Sequence, residues 1–384
     1  MKFAAYRGAR PVFRWLHTWM GLVAGLVIAV ISLAGSVIVF RTEIELASAP
    51  QGKSVARPVG LDAIVHAVSQ ARPGARIRRV RFPRNTREPY VLQIDTEGGQ
   101  ESLAVDAATG RVLGALHTAT VAWLIDLHRN LLVGKTGRKI VGVLGALLLT
   151  LGLSGMLLWL LGACKWKSWI SVRAQGSSRR FNYEAHRATG LWASGLLSVI
   201  ALAGIGLAFP DTCRIALQEV TGSAAPAKAP RISKGHAAMG HSLAEYLQAG
   251  VTAMPDGTPV ELRLPDSDKN PIELRLHRAG DLAPDANHVY LEPSSAKVIG
   301  TSKLSEQPLA TRIYSTLAPI HYGDFGGLPI KLLWCLIGIA PSILFVTGLL
   351  TWWRPRRRKP NDVAEADLAL AGTSRVESPR ELIR

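Results

Sequence analysis

A chain of 384 residues with 48% hydrophobic and 19% charged residues is too apolar for an ordinary soluble enzyme. The net charge of +17 raises nucleic acid as a partner. Its placement excludes that reading, because the basic residues gather beside long apolar runs, as they do at a lipid bilayer. Three cysteines, Cys164, Cys213 and Cys335, form no CxxC and exclude a disulfide framework or a thiolate metal site.

In chain order, residues 1–11 read as a cytoplasmic N-terminus carrying Lys2, Arg7 and Arg10. Residues 12–40 are the first transmembrane helix. Further apolar runs at 140–161, 191–209 and 328–353 are each near the ~20 residues a helix needs to cross a ~30 Å hydrocarbon layer. A cleaved signal peptide is the rival reading of the first run, since "ASA" at 47–49 resembles a cleavage site. The run is too long for one, and Arg41, Glu43 and Glu45 separate it from that site, so the helix is read as retained. Residues 41–127 form an outer domain with a helix over 61–71 and the strand "ARIRRVRF". Its arginines, Arg76, Arg78, Arg79, Arg81, Arg84 and Arg87, are read as a solvated basic face or as an attractor of acidic ligands or lipid headgroups.

Residues 128–161 lead into and form the second span, and 162–185 are a basic cytoplasmic loop. Residues 186–209 form the third span. Residues 210–320 form a second outer domain, with a helix over 242–249 and the strand "PIELRLHR". Residues 321–353 lead into and form the fourth span, and 354–384 are a basic, disordered tail. Short segments rich in Lys and Arg stay cytoplasmic, so both termini are expected inside and the two long loops outside.

The two halves repeat each other. With a shift of 169, "HTWMG" at His17 meets "HRATG" at His186, and "ISLAGSVIVF" meets "IALAGIGLAF". With a shift of 193, "LHRNLLVG" around His128 meets "IHYGDFGG" around His321, and Gly145, Gly155 and Trp159 meet Gly338, Gly348 and Trp352. Between them "VDAATGRVLG" (105–114) meets "LEPSSAKVIG" (291–300), each a strand, a tight turn and a strand, although Glu292 replaces the Asp and Ala296 the Gly. The expected fold is therefore an integral membrane, mostly α protein. Its four transmembrane helices form two parallel repeats about an axis along the membrane normal, each half carrying a small α+β domain.

"VDAATGRVLG" resembles the signature hairpin of PepSY domains, and the four-span duplication with "LHRNLLVG" and "IHYGDFGGLP" resembles the PepSY-associated transmembrane family, whose layout is closest here to its siderophore-iron reductases. The resemblance covers nearly the whole chain. It implies PepSY-like periplasmic domains and the reduction of ferric iron held by a siderophore.

Four of the ten histidines are repeat partners at span ends: His17 and His186 on the cytoplasmic side, His128 and His321 on the outer side. Equivalent residues can face each other across the repeat axis, and two neutral imidazoles suit the axial positions of a haem iron. Without CxxCH the haems would be b-type, and with few carboxylates nearby (Asp126, Glu184 and Asp324) a zinc or di-iron site is disfavoured. Gly21 and Gly190, four residues after a histidine, leave room for a flat macrocycle. Gly35 and Gly204, 18 residues after, return to that face about 27 Å away, beside a second haem. Helix packing through GxxxG is the plain alternative for such glycines.

Arg14, Arg180 and Arg187 inside, and Arg129 and Lys331 outside, are the candidate propionate partners. His117 is a reserve ligand; His236 and His241 read as surface residues; His66, His277 and His288 as ordinary ones. The six tryptophans near span ends read as an aromatic belt.

The cytoplasmic pieces are too short for a flavin or NAD domain, and no GxGxxG follows a strand. Electrons are then expected from quinol or a separate protein, cross two b-type haems, and reduce a ferric siderophore outside, releasing Fe(II). The alternatives are a haem-free PepSY-domain binding or regulatory membrane protein and an iron or haem transporter.

Overall fold

The computed structural model describes residues 2–47, 59–85, 88–116, 119–160, 172–173, 177–232 and 239–353, with the backbone alone for 2–9. His117, His236, Cys164, Arg87 and the segment 354–384 lie outside the described residues.

Among the described residues four helices are long and apolar enough to cross a membrane: α1 (Lys2–Ile38, its apolar part Arg10–Ile38), α5 (Gly134–Leu160), α6 (Ser178–Ala208) and α10 (Gly327–Trp353). They form a ring in which α1 packs on α5 and α10, and α6 packs on the same two. Small residues allow the close approach: Ala24, Ala29 and Ala34 on α1, and Ala188, Ala193 and Ala201 on α6, are buried. Val23, Leu26, Trp192, Leu202 and Leu336 face outward, as expected where the surrounding medium is lipid. The spans begin earlier than their apolar runs suggest, because polar residues fill the first turns of α5 and α6.

Between α1 and α5 come α2 (Arg41–Ala47), α3 (Leu61–Ala71), β1 (Arg76–Arg81), β2 (Tyr90–Thr96), β3 (Gly99–Val105), β4 (Val112–Ala115) and α4 (Ala119–Asn130). Between α6 and α10 come α7 (Pro210–Thr221), α8 (Leu243–Ala253), β5 (Gly257–Arg263), β6 (Ile272–Arg278), β7 (Asn287–Leu291), β8 (Val298–Ser302) and α9 (Leu309–Tyr322). The expected helices and strands are present, but not as two separate small domains. All eight strands form one antiparallel sheet, ordered β4-β3-β2-β1-β5-β6-β7-β8. The join is β1 on β5, with Val80 opposite Leu262 and Arg81 opposite Glu261.

The reason is hydrophobic. Leu92, Ile94, Leu103, Leu262, Leu274 and Val289, all fully buried, line one face of the joined sheet, where α3 and α8 cover them as a single core with Ile64, Val68 and Tyr246. Two four-stranded sheets would each expose a free edge strand, β1 or β5; pairing them removes both.

The helices that precede the second and fourth spans are separate elements. α4 ends after His128 in a turn with Leu131 and Leu132 at φ 52° and 62°. Gly134 (φ 63°) and its counterpart Gly327 (φ 63°) then open α5 and α10 in the left-handed conformation that favours glycine. This turn lets α4 and α9 lie against the ends of α1 and α6 while the chain re-enters the bundle.

Candidate functional site

The helix ring encloses two clefts. The distal one, away from the sheet, measures about 880 Å³, and the sheet-side one about 410 Å³. Both lie in the ~300–1,000 Å³ range of cofactor sites. Ile28, Leu148 and Leu197 border both, so the clefts adjoin across apolar side chains.

Each cleft holds one of the histidine pairs expected from the sequence. His17 on α1 faces His186 on α6 in the distal cleft, with ring centroids 6.2 Å apart. His128 on α4 faces His321 on α9 in the sheet-side cleft, at 5.9 Å. A metal midway between two imidazole nitrogens, about 2 Å from each, places the ring centroids about 6 Å apart.

The tautomers follow from the partners of Nδ1. His128 Nδ1 lies 2.8 Å from the carbonyl of Ile31, His321 Nδ1 2.8 Å from that of Ile200, and His186 Nδ1 2.9 Å from that of Leu344. A carbonyl only accepts, so each Nδ1 carries the proton. His17 Nδ1 is 2.9 Å from Ser154 Oγ, whose own hydroxyl donates to the Leu151 carbonyl at 3.1 Å, so this Nδ1 also donates. All four rings therefore leave the Nε2 lone pair free, fixed by a second partner as metal-ligating histidines are. The partners are themselves repeat matches: Ile31 with Ile200, Leu151 with Leu344, and Ser154 with Thr347, whose Oγ1 lies 3.3 Å from His186 Nδ1. Sequence reasoning missed them, although the same shifts of 169 and 193 point to them.

Of the four glycines singled out in the sequence, one pair borders open cleft space and the other presses on the histidines. Gly21 and Gly190 do line the distal cleft, but a Cβ on them would meet only Leu151 at 3.9 Å or Leu344 at 3.6 Å. The tight positions are Gly35 and Gly204, where a Cβ would stand 2.8 Å from Cε1 of His128 and His321. Gly155 and Gly348 play a looser version of this part against His17 and His186, at 3.4 and 3.2 Å.

The expected cations divide. Arg14, Arg180 and Arg187 line the distal cleft, joined by Arg10 and Arg179, which the sequence reading passed over. Arg180 also donates to Glu184 at 2.9 Å. Arg129 borders the sheet-side cleft but is exposed and paired with Asp126 at 3.3 Å. Lys331 does not line the cleft: it is 5% exposed, 2.7 Å from Glu43 and 3.4 Å from Asp324, which also binds Arg41. Arg41 and Arg138 line that cleft instead. Trp159, read as part of an aromatic belt, lines the distal cleft with a buried Nε1 that has no hydrogen-bond partner.

Among the described residues no group of three or more His, Cys, Asp or Glu converges. Two imidazoles with apolar walls thus suit a metal whose remaining ligands arrive with it, in a planar macrocycle, and the basic rim suits carboxylates on that macrocycle.

The chain is similar to an uncharacterized protein of Pseudomonas aeruginosa, 22% identical over 272 residues, 62% of this chain; it spans 64% of that relative's length. The sequence profile described as the PepSY-associated TM region matches residues 14–354, from the turn before His17 to the end of α10. Four membrane-length apolar helices, the sheet they carry and this match together place the chain in the PepSY-associated transmembrane family.

Proposed function

We propose that the protein is a membrane oxidoreductase that binds two b-type haems, one per cleft, and reduces a ferric siderophore on the sheet side, releasing iron as Fe(II). The observation that carries this reading is the geometry of the two histidine pairs: centroids 6.2 and 5.9 Å apart, every Nδ1 occupied and every Nε2 free. Haem bound there supplies a one-electron carrier at each end of the bundle. The chain's own residues do the rest. The Nδ1 partners hold each imidazole in plane and raise its basicity. Ile28, Leu148 and Leu197 keep water from the space between the clefts.

In this reading the termini are cytoplasmic and the sheet is periplasmic, in a bacterial inner membrane. The donor is quinol or a separate protein reaching the distal cleft, and each ferric ion takes one electron. Siderophore as substrate is an inference from the family resemblance and from the position of the sheet beside the second cleft.

Absorption spectroscopy of the purified protein tests it. Two haems per chain are expected. His17→Ala or His186→Ala removes the distal one, and His128→Ala or His321→Ala the sheet-side one. Colourless protein from haem-replete cells overturns the reading and leaves the haem-free binding or regulatory function. Mixing the reduced protein with ferric siderophores in the presence of an Fe(II) chelator then tests the substrate.

A further inference from the structure

Arg138 and Lys331 occupy matching places, each four residues after the glycine that opens α5 or α10. Their charges are handled differently. Lys331 is buried between Glu43 and Asp324. Those acids have no repeat counterparts, since Thr212 and Leu131 stand at the matching positions. No carboxylate lies within ion-pair distance of Arg138 among the described residues. Its Nη2 donates to the carbonyl of Leu207, near the negative C-terminal end of α6. That contact accounts for Nη2 and not for Nε, which is buried without a hydrogen-bond partner. A buried donor on a charged group is expensive to leave unpaired. Arg138 lines the sheet-side cleft with Tyr314 and His321, so the ligand space is where a partner can stand.

We propose that Arg138 binds a carboxylate of the group held in the sheet-side cleft, which fixes that group with its acidic edge toward α5 and α6. Lys331, already neutralised, takes no part. This rests on the haem reading, in which the carboxylate is a propionate.

The test uses the full-length His17→Ala protein in detergent, in which the sheet-side cleft alone retains its histidine pair. The apoprotein is titrated with haem and with haem dimethyl ester, whose carboxylates are masked. Haem is expected to bind about tenfold or more tighter than the ester, the scale of one charge-assisted hydrogen bond. Arg138→Gln erases that difference by weakening haem and leaving the ester unchanged, and it lowers the midpoint potential of the bound haem because a nearby cation is lost. Arg138→Lys restores part of both.

Equal affinity for haem and ester in the parent, or an Arg138→Gln protein that still discriminates between them, overturns the proposal while leaving the two-haem reading intact. A parent that binds neither overturns the haem reading itself. If Arg138→Gln does not fold, Arg138→Lys decides the matter: a preference for haem over ester undiminished from the parent overturns the proposal.

Discussion

Gly204 offers the sharpest test of how the histidines are held. A Cβ there would stand 2.8 Å from His321 Cε1, whereas carbon atoms in contact separate to about 3.5 Å. Gly204→Ala therefore displaces the imidazole by about 0.7 Å, since the backbone of α6 cannot yield without disturbing its packing on α5 and α10. A metal–nitrogen bond tolerates about 0.2 Å. The ring cannot escape sideways without losing the 2.8 Å hydrogen bond to Ile200, and disrupting such an outer partner costs about tenfold to a hundredfold in metal affinity. The expected result is one haem per chain instead of two, measured by pyridine haemochrome against protein concentration, with thermal unfolding in detergent showing an intact fold. Gly348→Ala, at 3.2 Å from His186, weakens the distal haem without abolishing it, and Gly21→Ala, whose Cβ would have no histidine atom within 4 Å, keeps both. A Gly204→Ala protein with two haems and an unchanged spectrum refutes the argument.

Ala296 sits at φ 53° where the first half has Gly110 at φ 70°. Ala296→Gly removes a left-handed strain of ~1–2 kcal/mol against up to ~1 kcal/mol of added unfolded-chain entropy, so denaturation should show net stabilisation of about 0.5–1 kcal/mol; a destabilised variant would contradict this. On the open face of the sheet, burial opposes ionisation of Glu273, but His288 Nδ1, 2.8 Å away, and Arg275 outweigh it and hold the carboxyl at about 2. Because that value lies below the ordinary 4.5, Glu273 stabilises the fold above pH 4.5 and loses that contribution as pH falls toward 2; Glu273→Gln should flatten the acid limb in that window, and an unchanged limb would refute the assignment. Asp324→Asn strips a carboxylate from both Arg41 and Lys331, and should lower stability by about 2–3 kcal/mol in detergent melts; an unaltered melting temperature would mean that the cluster is not held by these ion pairs.

The histidine pairs were legible in the sequence because duplication and helical periodicity act together: a shift of 169 or 193 names the partner, and the fold sets those partners about 6 Å apart. The spacing of Gly35 and Gly204 was legible for the same reason, although their consequence was not. They press on His128 and His321, residues of other helices, and no periodicity within α1 or α6 records that. The joined sheet was hidden because pairing β1 with β5 depends on two edges coming together across the halves, and "ARIRRVRF" reads the same at an edge as at a centre. Lys331 was misread because its neutralising acids, Glu43 and Asp324, come from positions that break the repeat. Departures from an internal symmetry carry no signal in a comparison built to find matches.

The two halves divide the work of building each histidine pair. Every imidazole is oriented within its own half: His17 by Ser154 and His128 by Ile31 in the first, His186 by Leu344 and His321 by Ile200 in the second. Yet each pair takes one member from either half. A group bridging a pair is thus held by two independently oriented arms, and its binding energy adds directly to the association of the halves. Across the bundle that association otherwise combines α1 on α10 and α5 on α6, surfaces of small and apolar residues, with directional bonds gathered toward the sheet side: Lys331 with Glu43, Arg41 with Asp324, and Arg138 with the Leu207 carbonyl. At the far end it is the β1–β5 join, where backbone hydrogen bonds fix the register. The sheet and these ion pairs therefore set how the halves meet at the end that holds His128 and His321, whereas the distal pair sits where helix packing joins them. Under this arrangement a substitution that breaks the β1–β5 pairing, such as Val80→Pro, should disturb the His128–His321 site first, although neither histidine lies in the sheet.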